Sequence, residues 1–232
     1  APAGGFAGSI TAALFLRRFV KNQEKYIGRC LRSLLAQSIS HHHYEIVVID
    51  DGSVDKTAYA LELFHDAITT ITNDKNLGLP ASLNIGIRHS NSEYIVRVDS
   101  DDYVNYNFLN FMSTYLDLNP DSHAVACDYF LVNNNGDWLE RVNCFNDPIA
   151  CGIMFRSKLL HDIGLYDEQF KYHEDKELRF RFEKKYTVDR LNIPLYRYRR
   201  HTGNITNHSN NMQHYETLLI EKHGTNVLKV NS

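Results

Sequence analysis

The first half of the chain alternates short apolar runs with amphipathic segments of helical length. Four apolar or β-branched runs predict strands, and they are residues 10–16, 44–49, 68–72 and 93–98. Three segments between them place apolar side chains at helical spacing, and they are residues 24–37, 53–64 and 80–88. Strands that alternate with helices of this length predict an α/β fold, with a Rossmann-like, mostly parallel central sheet flanked by helices.

The second half has a less regular pattern. Its predicted helices are residues 105–118, 157–163, 174–185 and 212–223. Its predicted strands are residues 124–132, 149–155 and 188–200, and the last is interrupted by Pro194. Residues 133–136, Asn-Asn-Asn-Gly, predict a hairpin turn. This half therefore predicts a small region of mixed or antiparallel sheet, and we find no linker that would divide the chain into separate domains.

The composition is that of an ordinary soluble globular protein. Of the 232 residues, 43% are hydrophobic and 23% are charged, and the net charge is −3 at pH 7. This balance gives no electrostatic case for nucleic-acid binding. No apolar run approaches the roughly 20 residues of a transmembrane helix. Residues 1–8 are small and Gly-rich, which predicts a flexible tail and not a signal peptide.

The cysteines give an expectation about the compartment. Cys30, Cys127, Cys144 and Cys151 form no C-x-x-C pair, and no histidine spacing completes a zinc site. We expect free thiols in the core of a protein from a reducing compartment, which predicts a cytoplasmic location.

Asp99-Ser100-Asp101-Asp102 is the segment most informative about function. It directly follows the predicted strand 93–98. Three carboxylates in four positions repel one another unless a cation lies between them, and a divalent metal ion with oxygen ligands is the usual solution. An acidic turn that caps the next helix is the alternative.

Asp50-Asp51-Gly52-Ser53 is a second acidic cluster at the end of a predicted strand. In a parallel sheet the two strand ends can lie side by side, where nucleotides bind. A carboxylate there can accept a hydrogen bond from a base or a ribose. The alternative is again a helix cap, formed here by Asp50 or Ser53.

Two further segments carry candidate chemistry. Glu174 and Asp175 open a predicted helix, where they stabilise the helix dipole or act as a general base. His201 follows the basic aromatic run 196–200 and is a candidate ligand of a metal ion or a diphosphate.

Together, in this order and spacing, the motifs resemble the family 2 glycosyltransferases of the GT-A fold. The resemblance covers roughly residues 10–207. It rests on the stretches 22–27 with the helix end 34–37, 48–53, 76–79 with 84–86, 98–103, 154–156 with 164–167, and 174–175.

The resemblance implies a nucleotide-sugar site. Asp50 and Asp51 would contact the base or ribose, usually of uridine. Lys75 and Asn76 fall where the family closes the base pocket. Asp99, with Ser100 beside it, would lie near the ribose.

The resemblance also implies a metal site and a catalytic base. Asp101 would bind Mn²⁺ or Mg²⁺ that bridges the diphosphate, and His201 would complete the metal site. Asp175 would take the proton of the acceptor hydroxyl, with Glu174 beside it on the acceptor side.

The implied enzyme is a metal-dependent inverting hexosyltransferase. Its donor would be a nucleotide sugar, usually a UDP-sugar in this family, and its acceptor a hydroxyl of a glycan or a lipid-linked molecule in cell-surface polysaccharide synthesis. A lipid-linked acceptor would bring the enzyme into peripheral contact with the inner face of the membrane.

The same resemblance divides the chain. Residues 9–207 would form one GT-A domain, with 9–104 as the nucleotide-binding half and 105–207 as the acceptor-binding half, and 208–232 would be a C-terminal helix or tail. Residues 17–22 depart from the family, which often has a proline and a small residue there, so we assign them no role. Residues 198–207 are polar, contain Gly203 and form the candidate lid.

Two other functions stay open at this point. A sugar nucleotidyltransferase would need a Gly-rich basic loop after the first strand, and no glycine follows Arg17 and Arg18 until Gly28. A sugar-binding module on an inactive transferase fold would be expected to lose the metal carboxylate or the base, and this chain retains Asp101 and Asp175. Turnover of a nucleotide sugar distinguishes such an inactive module from a glycosyltransferase.

Overall fold

A single mixed sheet organises the part of the chain that the structure, a computed structural model, describes: residues 9–16, 23–201 and 209–227. The strands are β1 Ile10–Leu16, β2 Tyr44–Asp50, β3 Thr69–Thr72, β4 Tyr94–Asp99, β5 Tyr103–Val104, β6 Ala124–Val132, β7 Trp138–Val142, β8 Ile153–Arg156 and β9 Val188–Arg199. The helices are α1 Ile27–Leu35, α2 Thr57–Glu62, α3 Leu79–His89, α4 Phe108–Leu118, α5 Ser157–Asp162, α6 Glu174–Glu183 and α7 Ser209–His223.

The strand order is β3-β2-β1-β4-β8-β6-β9-β5, and β7 pairs with β6 as a hairpin. Strands β1 to β4 are mutually parallel, as the alternation of strands and helices predicts. Strand β8 runs antiparallel to β4 and β6, and β9 runs parallel to β6. The predicted α/β fold with a parallel first half and a mixed second half is confirmed.

The register of β1 brings the first two acidic clusters to one edge of the sheet. Leu16 pairs with Asp50 on one side, and Phe15 pairs with Asp99 on the other. The ends of β2 and β4 are therefore separated by one intervening strand, which is about 10 Å. Both clusters lie at the carboxyl edge of the parallel strands, where ligands of α/β proteins bind.

The core lies between the sheet and the helices that cover it. Strands β2 and β4 are buried along almost their whole length, because helices cover both of their faces. Helix α1 buries Ile27, Cys30, Leu31 and Leu34, which recur at helical spacing. All four cysteines are buried and free, as the sequence predicts. None of the described helices is long and apolar enough to span a membrane.

Helix α7 packs on α6 through a small second cluster. Phe170, Phe180, Leu219 and Val227 form its apolar part. The carboxylate of Glu177 lies beneath it and has no exposed surface. It accepts hydrogen bonds from Lys222 at 2.7 Å and His223 at 3.0 Å, which tie α7 to the helix that begins with Glu174.

The structure differs from the predictions in its details. The helix predicted to begin at Ser53 begins at Thr57, because the carboxylate of Asp55 accepts the Thr57 amide at 3.0 Å. The hydroxyl of Ser53 has no partner, so this residue is not the cap. The predicted strand 188–200 is observed as one strand, Val188–Arg199, with an irregular register near Pro194, and β5 was not predicted. The domain boundaries stay a prediction, and the tail 1–8 lies outside the described residues.

Candidate active site

The end of β2 holds the loop that carries Lys75 and Asn76. The buried carboxylate of Asp51 accepts the backbone amides of Leu77 at 2.8 Å and Gly78 at 2.9 Å. It also accepts the side-chain amide of Asn73 at 2.9 Å. Because Asp51 fixes both ends of this loop, Lys75 and Asn76 lie next to the strand end. Lys75 is exposed and Asn76 is half-buried.

Asp50 stabilises its own turn. Its carboxylate accepts the amide of Ser53 at 2.8 Å, and its carbonyl accepts the amide of Asn73 at 2.9 Å. Asp50 and Asp51 therefore both stabilise the backbone around them. The cap interpretation predicted such a contact for Asp50 and did not predict the contacts of Asp51. The structure brings these residues and the loop 73–78 together at the edge of the sheet, as the nucleotide-site hypothesis requires.

The Asp99-Ser100-Asp101-Asp102 segment forms a tight turn after β4. The amide of Asp102 donates to the carbonyl of Asp99 at 3.0 Å. The carboxylate of Asp102 is buried and accepts the hydroxyl of Tyr196 at 2.8 Å and the amide of Arg199 at 2.7 Å. Burial, together with the charges of Asp101 and Asp99, raises the pKa of Asp102 well above its usual value. This residue therefore fastens the turn to β9, and it was not predicted to do so.

Asp101 and His201 meet beside this turn, and both are half-buried. Oδ2 of Asp101 lies 2.9 Å from Nε2 of His201, although 100 positions separate them in the sequence. The ring of His201 stacks on Tyr26 at a centroid distance of 5.5 Å. Two ligands about 2.1 Å from one metal ion and at right angles lie about 3 Å apart. A carboxylate oxygen and an imidazole nitrogen at this separation fit Mn²⁺ or Mg²⁺ both in the type of ligand atom and in the distance between the ligands.

A second group of donor atoms lies deeper. The donor atoms of Asp99, Asp102 and Cys151 fall within 4.8 Å of one another. Both carboxylates already accept hydrogen bonds from protein donors. Burial and the charge of Asp99 raise the pKa of the Cys151 thiol well above its usual value. We therefore place the candidate metal site at Asp101 and His201.

Arg199, two residues before His201, supports the turn that contains Asp101. The buried guanidinium of Arg199 donates to the carbonyls of Asp101 at 2.8 Å, Asn133 at 2.7 Å and Asn134 at 2.9 Å. It lies over the ring of Tyr26 at 4.7 Å. These bonds are made to the main chain, so this arginine holds the turn in place and is not positioned as a phosphate ligand.

Glu174 and Asp175 begin α6 and have different surroundings. His173 precedes them in the left-handed conformation, with φ of 58°, which turns the chain into the helix. Glu174 is buried, and its Oε1 accepts Nη1 of Arg97 at 3.1 Å. Asp175 is half-buried and makes no hydrogen bond or ion pair with the residues that the structure describes. Its lone pairs are therefore available to a ligand.

Asp175 lines a cavity of roughly 200 Å³. One wall is apolar, and its residues are Pro148, Ile149, Ala150, Ile153, Phe155 and Leu178. Polar side chains of Asn146, Asp147, Lys176 and Arg179 line the rest with Tyr166. A carboxylate without partners in a half-apolar cavity is suited to accept a proton from a bound hydroxyl.

Arg97 is the functional candidate that sequence reasoning missed. It donates to the carboxylate of Asp99 as well as to Glu174, and thus joins two of the acidic clusters. The available signal was that Arg97 is a charged residue inside the apolar run 93–98. It lies two positions before Asp99, which places both residues on the same face of the strand. The departure at residues 17–22 and positions 202–207 of the candidate lid lie outside the described residues.

Residues 19–185 match the sequence profile of Glycosyl transferase family 2. This chain belongs to that family. The match spans more than half of the chain and includes all of the acidic clusters described above. The family 2 membership and the GT-A fold that the motifs implied are confirmed, and the protein is a glycosyltransferase.

Two relatives of this family 2 glycosyltransferase come from bacteria. An uncharacterized glycosyltransferase of Rickettsia typhi is 28% identical over 218 residues, covering 86% of this chain and 68% of the relative. The poly(ribitol-phosphate) β-N-acetylglucosaminyltransferase TarS of Staphylococcus aureus is 28% identical over 170 residues. That match covers 67% of this chain and 30% of TarS, so this chain spans under a third of that relative.

Solved structures share the fold. TarS of S. aureus in complex with UDP-GlcNAc superposes with a TM-score of 0.72 at 22% identity, covering 95% of this chain and 70% of that one. The mannosyltransferase PcManGT of Pyrobaculum calidifontis, in complex with GDP-Man and Mn²⁺, gives a TM-score of 0.64 at 16% identity, covering 82% and 56%. At these identities the likeness establishes the fold of the family 2 glycosyltransferase alone.

Proposed function

We propose that this glycosyltransferase transfers a sugar from a UDP-sugar to an acceptor hydroxyl, with inversion and with Mn²⁺ or Mg²⁺ bound at Asp101 and His201. The observation that carries the proposal is the 2.9 Å approach of Asp101 to His201 at the carboxyl edge of the parallel strands. Asp175, which has no partner among the described residues, supplies a base on the acceptor side.

The relatives support a UDP-sugar donor. TarS was solved with UDP and with UDP-GlcNAc, and a relative in Bacillus spizizenii is named a poly(ribitol-phosphate) β-glucosyltransferase. In this chain Asp50, Asp51, Lys75 and Asn76 surround the end of β2 and would receive the base and ribose. Asp99 and Ser100 would lie along the ribose and diphosphate.

The reaction would proceed by single displacement. Asp175 would accept the proton of the attacking hydroxyl while the sugar–phosphate bond breaks on the opposite face of the sugar. A divalent ion, when bound by Asp101 and His201, neutralises the charge that develops on the leaving diphosphate. Two relatives are named for β-linked products. Because the ordinary UDP-glucose and UDP-GlcNAc donors are α-linked, a β-linked product requires inversion.

The acceptor would be a hydroxyl of a cell-surface glycan or a lipid-linked precursor. The cavity around Asp175 supports an acceptor that combines an apolar face with hydrogen-bonding groups, as a sugar or polyol does. A lipid-linked acceptor would bring the enzyme to the inner face of the membrane, and this location stays a prediction.

Calorimetric titration tests the proposal first. UDP, GDP and dTDP are each titrated with Mn²⁺ and with a chelator, and UDP-glucose and UDP-GlcNAc are then assayed for hydrolysis. We expect binding that is selective for UDP and weaker in the chelator, followed by release of UDP from one of the sugars. Folded protein that binds none of the nucleotides would refute the proposal.

A further inference from the structure

A buried arginine lies between the donor side and the acceptor side of the site. Arg97 is on β4, two residues before Asp99, so both side chains point to the same face of the sheet. The residue is 6% exposed, in a strand that is otherwise apolar up to Asp99. A fully desolvated charge in such a strand is costly unless it is paired, so its partners indicate why it is there.

Each nitrogen of the Arg97 guanidinium donates to a carboxylate. Nε and Nη2 contact the two oxygens of Asp99 at 2.8 Å and 3.2 Å. Nη1 contacts Oε1 of Glu174 at 3.1 Å. Burial by itself lowers the pKa of Arg97, but the charges of Asp99 and Glu174 outweigh it and keep the guanidinium charged. The fork of the guanidinium thus joins the end of β4 to the first turn of α6.

The two partners belong to different halves of the proposed reaction. Asp99 is the first residue of the turn that presents Asp101, whereas Glu174 directly precedes Asp175 in the first turn of α6. Arg97 also interacts with Tyr166, which lines the cavity beside Asp175. Moving Glu174 would move Asp175, because they are consecutive residues of one helical turn.

We propose that Arg97 is a positioning residue that couples the two substrate sites, holding Asp99 for the donor and, through Glu174, the base Asp175 at the acceptor. This inference rests on the proposed function. It assigns Glu174 to the support of Asp175 and not to proton transfer. Without the guanidinium, the carboxylates of Asp99 and Glu174 would lose the cation that they share, and the start of α6 would shift away from the end of β4.

The pairing predicts different effects for its two ends. In Arg97→Met both contacts are lost, so we expect weaker UDP binding in Mn²⁺ and also a fall in the transfer kcat of about 100-fold, as for a reacting group misplaced by about 1 Å. In Glu174→Gln the contacts between Arg97 and Asp99 remain, so UDP binding should be unchanged while kcat falls at least about tenfold. Arg97→Lys should recover little, because one ammonium group cannot reproduce the three-way fork.

The double variant Arg97→Met/Glu174→Gln tests the pairing itself. If the two residues act as a unit, the loss in kcat for the double variant will be smaller than the product of the two single losses. Losses that simply multiply would overturn the coupling. The hydrolysis of the UDP-sugar in water is measured alongside transfer, since hydrolysis needs the donor side and does not need a positioned acceptor.

Arg156→Met is the matched control. Arg156 is also a largely buried arginine, donating to the carbonyls of Ser122 and Leu116 and lying near Glu93, at the opposite end of β4. Its loss should lower the thermal stability without changing the Kd of UDP or kcat.

If Arg97→Met and Glu174→Gln resemble this control, the inference is wrong. If wild-type protein neither binds UDP nor hydrolyses any UDP-sugar, the proposed function itself is wrong, and this inference is wrong with it. If Arg97→Met does not fold, Arg97→Lys and Glu174→Gln decide the question.

Discussion

At the scale of single residues, two adjacent carboxylates differ in what surrounds them. Glu174 is paired with a buried arginine, whereas Asp175 faces a cavity and has no partner among the described residues. Composition and spacing cannot separate such neighbours, because both suit the first turn of a helix. The difference arises from β4, which is about 75 residues earlier in the chain and delivers Arg97 to only one of them.

Replacing the base should stop transfer without affecting the donor site. We expect Asp175→Asn to bind UDP as wild type does and to lose about 10²- to 10⁴-fold in kcat, because the isosteric amide cannot accept the proton. Asp162→Asn is the control, since Asp162 does not line this cavity and its carboxylate pairs with Lys185 at the surface. Initial rates of UDP release with and without acceptor measure the effect. An Asp175→Asn enzyme with normal transfer would contradict the assignment of the base.

Replacing the metal ligand should remove the metal dependence. In Asp101→Ala we expect the affinity for UDP in Mn²⁺ to fall to the value that wild type shows in a chelator, because the remaining His201 holds the ion poorly. Asp66→Ala is the control, since its carboxylate is at the surface and pairs with His65. Titration of UDP at several Mn²⁺ concentrations measures the change. Retention of the full metal effect would show that the ion is bound elsewhere.

At the scale of elements, helix α7 is held to α6 by a buried carboxylate. Burial by itself raises the pKa of Glu177, but hydrogen bonds from Arg181 and Lys222 outweigh it, so its pKa is lowered overall. A carboxyl group whose pKa is lower in the folded state stabilises the protein above its unfolded pKa, and this stability is lost as the pH falls through the folded value. The contact between α6 and α7 is therefore strongest near neutral pH and weakens in acid.

Replacing Glu177 should expose this dependence. In Glu177→Gln we expect the free energy of unfolding at pH 7 to fall by about 3 kcal/mol, because the cations Arg181 and Lys222 lose a buried partner. The acid-induced loss of stability should also become smaller below the unfolded pKa, near 4.3. Urea unfolding between pH 3 and pH 7 measures both effects. Glu183→Gln is the control, since Glu183 pairs with Arg179 in a more exposed position. A variant with the wild-type slope of stability against pH would contradict the role of Glu177.

The packing of α3 on β2 depends on a helical glycine. A Cβ atom added at Gly86 would lie 2.7 Å from Cδ1 of Ile49, which is buried. We expect Gly86→Ala to destabilise the protein by about 1–3 kcal/mol through overpacking. The double variant Gly86→Ala/Ile49→Val should recover part of the loss, because valine lacks that atom.

Gly28→Ala is the matched helical control for this prediction. In α1 an added Cβ would meet only the flexible end of Arg32, at 3.2 Å. We expect this variant to be neutral or to stabilise the protein by up to about 1 kcal/mol, through its helix propensity. Chemical unfolding of the four proteins measures the differences. Equal effects of the two alanines would contradict the steric explanation for Gly86.

At the scale of the whole molecule, the sequence predicted the strands and helices better than it predicted the side chains that hold the candidate site in place. The α/β class, most strand positions and the approach of the acidic clusters followed from periodicity and from the rule that parallel strands end at one edge. Arg97, Tyr196 and Arg199 were not predicted to support the site. Apart from Asp99, which lies two positions after Arg97, their partners described above are 65 to 98 positions away, and no local pattern encodes such pairs. The hydroxyl of Ser53 and the carboxylate of Asp55 compete for the same helix start, and the local pattern alone does not decide between them.

The continuity of the sheet leads to a prediction for unfolding. Strand β8 joins the parallel strands to the mixed half, and β9 reaches back through Tyr196 and Arg199 to the turn that contains Asp101. A ligand held at that turn should therefore stabilise both halves together. We expect a single thermal transition, which UDP with Mn²⁺ at 100 times its Kd moves upward by the equivalent of about 2.7 kcal/mol. Calorimetry at several UDP concentrations measures the shift, with UDP in chelator as the control. Two transitions, of which only one responds to UDP, would show that the halves 9–104 and 105–207 unfold independently and would contradict the single domain.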